Sequence, residues 1–74
     1  MINQKVYRWE TLDKYYEAHI GKDIFDQLVV TCFFGSKLTK GAKRLTYPVD
    51  SLKEAYELIS DISEKRIQLG YEEN

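Results

Sequence analysis

The 74-residue sequence has very few of the residues from which catalytic and metal centres are built. It contains one histidine and one cysteine, His19 and Cys32, far apart in the chain. A single cysteine excludes an internal disulfide framework and is typical of a reducing cytosol, so we expect a cytoplasmic protein. One histidine and one cysteine without partner ligands do not make a zinc site.

Long apolar runs are also missing. No segment is apolar for long enough to cross a bilayer, and the first ten residues, MINQKVYRWE, lack the apolar part of a signal peptide. The net charge of −1 gives the whole molecule no general attraction to nucleic acids or membranes. We therefore expect no membrane partner, and any attraction to anions has to be local.

Signatures of catalysis are equally scarce. Cys32 lies in the most apolar segment, where an inert buried thiol is expected, and His19 has no nucleophile near it in the sequence. The four glycines form neither a Walker A motif nor a dinucleotide fingerprint. We predict that the chain is not an enzyme, with no catalytic residues, no metal, no cofactor and no small-molecule substrate.

Alternating and continuous apolar patterns predict an antiparallel sheet of about four strands. The predicted strands cover residues 4–12, 14–20, 27–34 and 42–48. The third is apolar enough to be a central strand covered on both faces, and Pro48 ends the fourth because proline has no N–H to donate. Trp9 is predicted to pack within the sheet. The connection GKDIFD is predicted to be a turn that buries Ile24 and Phe25.

A helix follows the strands. Ser51 and Glu54 have the spacing of a capping box at its start, and Gly70 is the expected stop signal. Apolar residues recur between them at helical spacing: Leu52, Ala55, Tyr56, Ile59, Ile62 and Leu69. The expected fold class is therefore α+β, with the sheet packed against one C-terminal helix.

Positive charge is concentrated in the stretch FFGSKLTKGAKRL, from Phe33 to Leu45, which contains no acid. Gly35 and Gly41 permit a tight, irregular connection. One interpretation is a solvated hairpin whose cations preserve solubility or protect a sheet edge. The other is an anion-binding patch with Phe33 or Phe34 available to stack on a base. The cations are Lys37, Lys40, Lys43 and Arg44.

Five segments follow one another along the chain: KYYEAHI, DIFDQLVV, FFG with TKG a few residues on, SLKEAYELI and EKRIQLGY. In this order they resemble a WGR domain, the module named for a Trp-Gly-Arg motif and found in poly(ADP-ribose) polymerases and in bacterial proteins. The resemblance is strongest over residues 15–71. It implies that residues 1–74 form a single WGR-like domain, with an antiparallel sheet and one helix.

At the defining motif, this chain has Phe34-Gly35-Ser36, so another aromatic replaces the tryptophan and the arginine is missing. Leu38 stands where the family often has a second glycine. In the polymerases the domain binds near a DNA break and helps to relay that event to the catalytic part. The resemblance implies that Phe34 stacks against a terminal sugar or base, while Ser36 cannot replace the donors of a guanidinium.

We thus predict a small, non-catalytic module, bacterial or phage-borne, that binds nucleic acid, most of all DNA, without sequence specificity. The binding interpretation expects the four cations and Phe34 to converge on one exposed face. The alternative is a protein-interaction module that uses the same loop against an acidic partner, or a sheet edge against a peptide. The predicted nucleic-acid-binding residues are Phe34, Gly35, Lys37, Lys40, Gly41, Lys43 and Arg44.

Overall fold

The computed structural model describes residues 5–73, so the predicted first strand residue, Gln4, lies outside the described residues. Five strands and one helix follow one another in this order: β1 (Lys5–Glu10), β2 (Lys14–Lys22), β3 (Leu28–Ser36), β4 (Lys43–Pro48), α1 (Leu52–Gln68) and β5 (Glu72–Glu73).

The strands form one antiparallel sheet in the order β4-β3-β2-β1-β5. This confirms the predicted α+β class, with one sheet packed against one helix. The sequence did not predict β5, a two-residue strand that pairs with β1 after the helix. The predicted ranges of β2 and β3 are also too short, because Gly21 and Gly35 continue the pairing of these two strands.

The turn between β2 and β3 contradicts the prediction that Ile24 and Phe25 are buried, since they are 93% and 82% exposed. One Asp23 carboxylate oxygen accepts hydrogen bonds from the backbone N–H of Phe25 and of Gln27, at 2.9 and 3.0 Å. Asp26 adopts a positive φ of 63°. These local bonds close a tight turn, which leaves both apolar side chains in solvent.

The core lies between α1 and one face of the sheet. Trp9 is fully buried there, and its indole Nε1 donates a hydrogen bond to Ser63 Oγ at 3.3 Å. The predicted packing of Trp9 within the sheet is therefore confirmed. The other face of β3 has no helix over it in residues 5–73, and Thr31 and Phe33 are only partly buried there. The core residues are Trp9, Tyr16, Ala18, Ile20, Val30, Cys32, Val49, Ala55 and Ile59.

The start and the end of α1 confirm Ser51 as the N-cap and Gly70 as the stop signal. At the start, Ser51 Oγ accepts a hydrogen bond from the Glu54 backbone N–H at 3.1 Å. At the end, Gly70 has a φ of +92° and donates to the Ile67 carbonyl, while Tyr71 donates to the Arg66 carbonyl, both at 3.0 Å. These two bonds are a Schellman motif, which satisfies carbonyls that the helix leaves open.

Only part of the predicted apolar stripe of α1 is buried. Ala55 and Ile59, one turn apart, reach the core, whereas Leu52 and Leu69 remain more than half exposed. The contact between helix and sheet is thus a narrow seam. Within residues 5–73, no helix has the length and apolar character needed to span a membrane.

Candidate nucleic-acid interface

The stretch rich in cations forms the hairpin of β3 and β4. In its register Phe34 lies opposite Lys43 and Phe33 lies opposite Arg44. Because successive strand residues face opposite sides of a sheet, each face receives one aromatic ring and one cation. Phe34 and Lys43 are on the face that packs against α1, and Phe33 and Arg44 are on the other. The prediction that all the cations converge on one face with Phe34 is therefore wrong.

A cleft of about 600 Å³ opens beside the hairpin on the helix side. We call it the hairpin cleft. The backbone of Gly35 and Gly41 forms part of its wall, and none of its lining residues is a carboxylate. The side chains that characterise it are two ammonium groups, two hydroxyls and two aromatic rings: Lys14, Lys43, Ser36, Thr39, Phe34 and Tyr71.

Phe34 is fixed by aromatic contacts and is partly exposed. Its ring stacks on that of Tyr16, with centroids 5.3 Å apart and planes 12° apart. The Arg66 guanidinium lies 4.6 Å from the centre of the Tyr16 ring and 5.3 Å from that of Tyr71. Cation–π contacts of this kind are attractive. The contacts form one row, from Phe34 through Tyr16 and Arg66 to Tyr71, which connects the two aromatic rings of the cleft.

The loop of the hairpin folds back closely over Gly35. A Cβ atom added to Gly35 would lie 3.2 Å from the Gly41 carbonyl oxygen, and Gly41 itself has a φ of +99°. A side chain at Gly35 would thus be in tight contact with the loop backbone, and Gly41 has a backbone conformation that favours glycine. The sequence predicted a tight, irregular connection between these two glycines, and Gly41 lies in that connection, whereas Gly35 is still part of β3.

The loop leaves several backbone donors available. The Lys37 N–H is bonded to the Asp13 carbonyl at 2.7 Å, and the Leu38 N–H to Ser36 Oγ at 3.0 Å. Within residues 5–73, the N–H groups from position 39 to position 41 have no hydrogen-bond acceptor. Successive free N–H groups in a turn are well suited to an anion.

Lys37 does not take part in the hairpin cleft. Its Nζ lies 2.9 Å from Glu10 Oε1 and donates to the Thr11 carbonyl, also at 2.9 Å. The cation-rich stretch contains no acid, but Lys37 finds an acid partner elsewhere in the chain because the fold brings β1 next to the hairpin loop. Lys37 ties the loop to β1, whereas Lys40 is exposed in the loop outside the cleft lining.

The prediction did not include five residues of the cleft lining, and two of them, Lys14 and Tyr71, lie outside the cation-rich stretch. Lys14 lies opposite Ser36 in the β2–β3 register. Antiparallel pairing of the predicted strands already indicated that the start of β2 meets the end of β3, so this residue was within reach of the sequence. Tyr71 reaches the cleft because the chain reverses at Gly70, which only the tertiary structure reveals.

Acidic residues lie at the opposite edge of the sheet. Glu72 pairs with Glu10, and Glu73 with Trp9, along the free side of β1. The β4 edge carries Lys43 and Arg44, so the sheet has one basic edge and one acidic edge. A net charge of −1 thus conceals a clear separation of charge.

The groups considered for catalysis have structural partners. Cys32 is fully buried, and burial raises the pKa of its thiol. His19 Nε2 lies 2.9 Å from Glu17 Oε1. Within residues 5–73, no group of three or more His, Cys, Asp or Glu side chains is placed to hold a metal ion.

Comparisons with protein-family models, with curated proteins and with solved structures return no match for this chain. The resemblance to WGR domains therefore stays a prediction.

Proposed function

We propose that this chain is a small, non-catalytic module that binds nucleic acid, most of all DNA, through the hairpin cleft. The observation that carries the proposal is the composition of the cleft, which joins two lysines and two aromatic rings and has no carboxylate in its lining. Phe34 offers a ring for a terminal sugar or base, as the WGR resemblance implies. Lys14 and Lys43 supply charge for the adjoining phosphates.

The loop adds to this surface. Lys40 is exposed at its tip, next to the free N–H groups from position 39 to position 41. Lysines and backbone amides position a phosphate backbone but do not read base edges, so the proposed binding is independent of sequence. When three lysines contact phosphates, a plot of log K for duplex binding against the logarithm of the salt concentration has a slope of about −3.

The experiment is a fluorescence anisotropy titration of labelled blunt duplex, nicked duplex and single-stranded DNA at low and moderate salt. Lys43→Glu and the double variant Lys40→Glu/Lys43→Glu are expected to weaken duplex binding and to flatten its salt dependence. Lys53→Glu, which makes the same charge change at an exposed position on α1, is the matched control and is expected to bind normally.

Urea unfolding of each variant shows that it is folded. If the unaltered protein binds no DNA at low salt and tens of micromolar protein, the proposal is wrong, because three phosphate contacts give measurable affinity there. Loss of binding by Lys53→Glu to the same extent as by Lys43→Glu would show that net charge, not the cleft, is responsible.

A second candidate function is protein interaction along β4. All six residues of this edge strand are exposed, including Leu45 and Tyr47. A basic edge strand suits an acidic extended partner. This function becomes the better explanation if DNA does not bind.

We propose that the module acts in the cytoplasm of a bacterium or in a phage-infected cell. The single cysteine, buried at Cys32, supports the cytoplasm, and the bacterial or phage origin follows from the WGR resemblance alone.

A further inference from the structure

The helix-free face of the sheet has its own hollow at the hairpin, on the side opposite the hairpin cleft. Its volume is about 320 Å³, at the lower end of the range for small-ligand pockets. We call it the sheet-face hollow. The side chains that characterise it are His19, Lys22, Thr31, Phe33 and Arg44.

Phe33 is the aromatic ring of this hollow. It lies on β3, a strand paired on both sides, and is only partly buried because no helix of residues 5–73 covers this face. The His19 ring meets it nearly perpendicularly, with centroids 5.1 Å apart and planes 74° apart. The His19 ring contacts one part of the Phe33 ring and holds it in this orientation. The rest of the Phe33 ring is open to a planar ligand.

Arg44 lies directly across the strand pair from Phe33. Its side chain is exposed and has no ion-pair partner among residues 5–73. A guanidinium offers a planar fork of donors that matches a phosphate. A base can stack on an aromatic ring while its own phosphate binds a guanidinium. Here the two groups lie directly opposite each other on paired strands.

The charges around the hollow favour an anion. Glu17 lies directly across the β2–β3 pair from Phe33, and its carboxylate is held by Arg8 and by His19. Lys22 is 3.3 Å from Asp26 in an exposed pair, a type of contact that contributes little and yields readily to other anions. No carboxylate lines the hollow.

We propose that the sheet-face hollow is a second nucleic-acid site, which takes one base of a single strand stacked on Phe33 with its phosphate on Arg44. The bases of a duplex are already stacked on one another and offer no free face, so this site selects single strands. This inference rests on the proposed function, but it uses the opposite face of the hairpin and residues that the hairpin cleft does not contain.

Because adjacent strand residues face opposite sides of the sheet, each variant of the sheet-face hollow has a matched variant on the helix side. Phe33→Leu and Arg44→Gln alter the sheet-face hollow, while Phe34→Leu and Lys43→Gln make the corresponding changes on the helix side. All four are titrated with a labelled oligothymidylate of about eight nucleotides and with a blunt duplex. Amide chemical shifts of β3 and β4 are followed by NMR during the same titrations.

We expect Phe33→Leu to weaken oligothymidylate binding by about 5- to 100-fold, as loss of one stacked base predicts, and to leave duplex binding unchanged. We expect Arg44→Gln to weaken oligothymidylate binding as well. The amide signals of Thr31, Phe33 and Arg44 should shift with the single strand and not with the duplex.

Three results would overturn the inference. If the duplex binds and the oligothymidylate does not, the hollow is not a nucleic-acid site, although the hairpin cleft remains one. If single-strand binding depends on Phe34 and Lys43 and ignores Phe33 and Arg44, one site serves both ligands. If neither DNA binds, this inference and the proposed function are both wrong, and a protein partner for this face is the better explanation.

Discussion

Trp9 on β1 is fully buried, whereas all six residues of β4, three positions away in the sheet order, are exposed. The first region is where β1 and β2 pack against α1, and a Trp9–Ser63 hydrogen bond connects sheet and helix there. The second region is the β3–β4 hairpin, with cations on both faces and all six residues of β4 exposed. The difference separates the residues that stabilise the fold from the residues of the proposed binding surface, because the two groups lie in different parts of one sheet.

The largest expected effect tests this separation directly. Trp9→Ala removes a fully buried indole, and we expect the free energy of unfolding to fall by about 3–5 kcal/mol. Leu45→Ala on β4, where the side chain is 46% exposed, is expected to cost less than about 1 kcal/mol. Urea unfolding followed by circular dichroism measures both. Equal losses would mean that β4 is as much a part of the core as β1.

Two glycines with positive φ give the next comparison. Gly70→Ala places a Cβ where the Schellman motif needs a φ of +92°, and we expect a loss of about 1–2 kcal/mol in the free energy of unfolding. Gly41→Ala, at +99° in the hairpin loop, carries the same kind of backbone strain but is expected to cost less, because no helix-capping hydrogen bonds among residues 5–73 depend on that residue. We expect Gly41→Ala to weaken duplex binding instead, because Gly41 lines the hairpin cleft. Thermal unfolding and DNA titration of both variants check this, and a greater stability loss at Gly41 would contradict it.

Two serines that accept backbone hydrogen bonds sharpen the comparison further. Ser51→Ala removes the N-cap of α1, and we expect the free energy of unfolding to fall by about 1 kcal/mol. Ser36→Ala removes the bond to the Leu38 N–H in the hairpin loop and is expected to stay within about 0.5 kcal/mol of the unaltered protein. Chemical unfolding of both variants gives the values. Reversed magnitudes would show that the loop, not the helix cap, limits stability.

The smallest expected effect depends on pH. A hydrogen bond with His19, together with Arg8, lowers the pKa of Glu17 in the folded protein. A lowered folded pKa adds stability above the unfolded value of about 4.3, and this is lost as pH falls through the folded pKa. We expect Glu17→Gln to cost less than about 1 kcal/mol at neutral pH.

The cost of Glu17→Gln should vanish in acid, once the carboxyl of the unaltered protein is protonated in the folded state. Urea unfolding at a series of pH values measures this. A difference between the two proteins that stays constant down to strongly acidic pH would contradict the assigned cause. The same series on Ser51→Ala is the control, since that cap does not titrate.

Local signals in the sequence predicted much of the fold. The Ser51 cap and the Gly70 stop both follow from short-range geometry, and the structure has each of them. The prediction failed where an apolar pair lies in a turn, because Asp23 closes that turn with its own hydrogen bonds and leaves Ile24 and Phe25 outside. Hydrophobicity alone gave no sign of that closure.

The candidate site was less predictable than the fold. Concentration of cations in one stretch is visible in the sequence, but adjacent strand residues face opposite sides, so Lys43 and Arg44 belong to different surfaces. Lys37 is neutralised by Glu10, which is 27 residues away in the chain. The sequence could not show this pair, because it depends on how β1 and the hairpin loop meet.

The sequence by itself determined the α+β class, the ends of the helix and the position of the loop glycine Gly41, since each depends on a few neighbouring residues and on their backbone geometry. The tertiary structure alone decided which cations share a surface, that Tyr71 joins Phe34 in one cleft, and that the acids of β5 lie at the far edge of the sheet. These features depend on strand order and on the reversal of the chain after α1, which are set by the packing of elements distant in the chain.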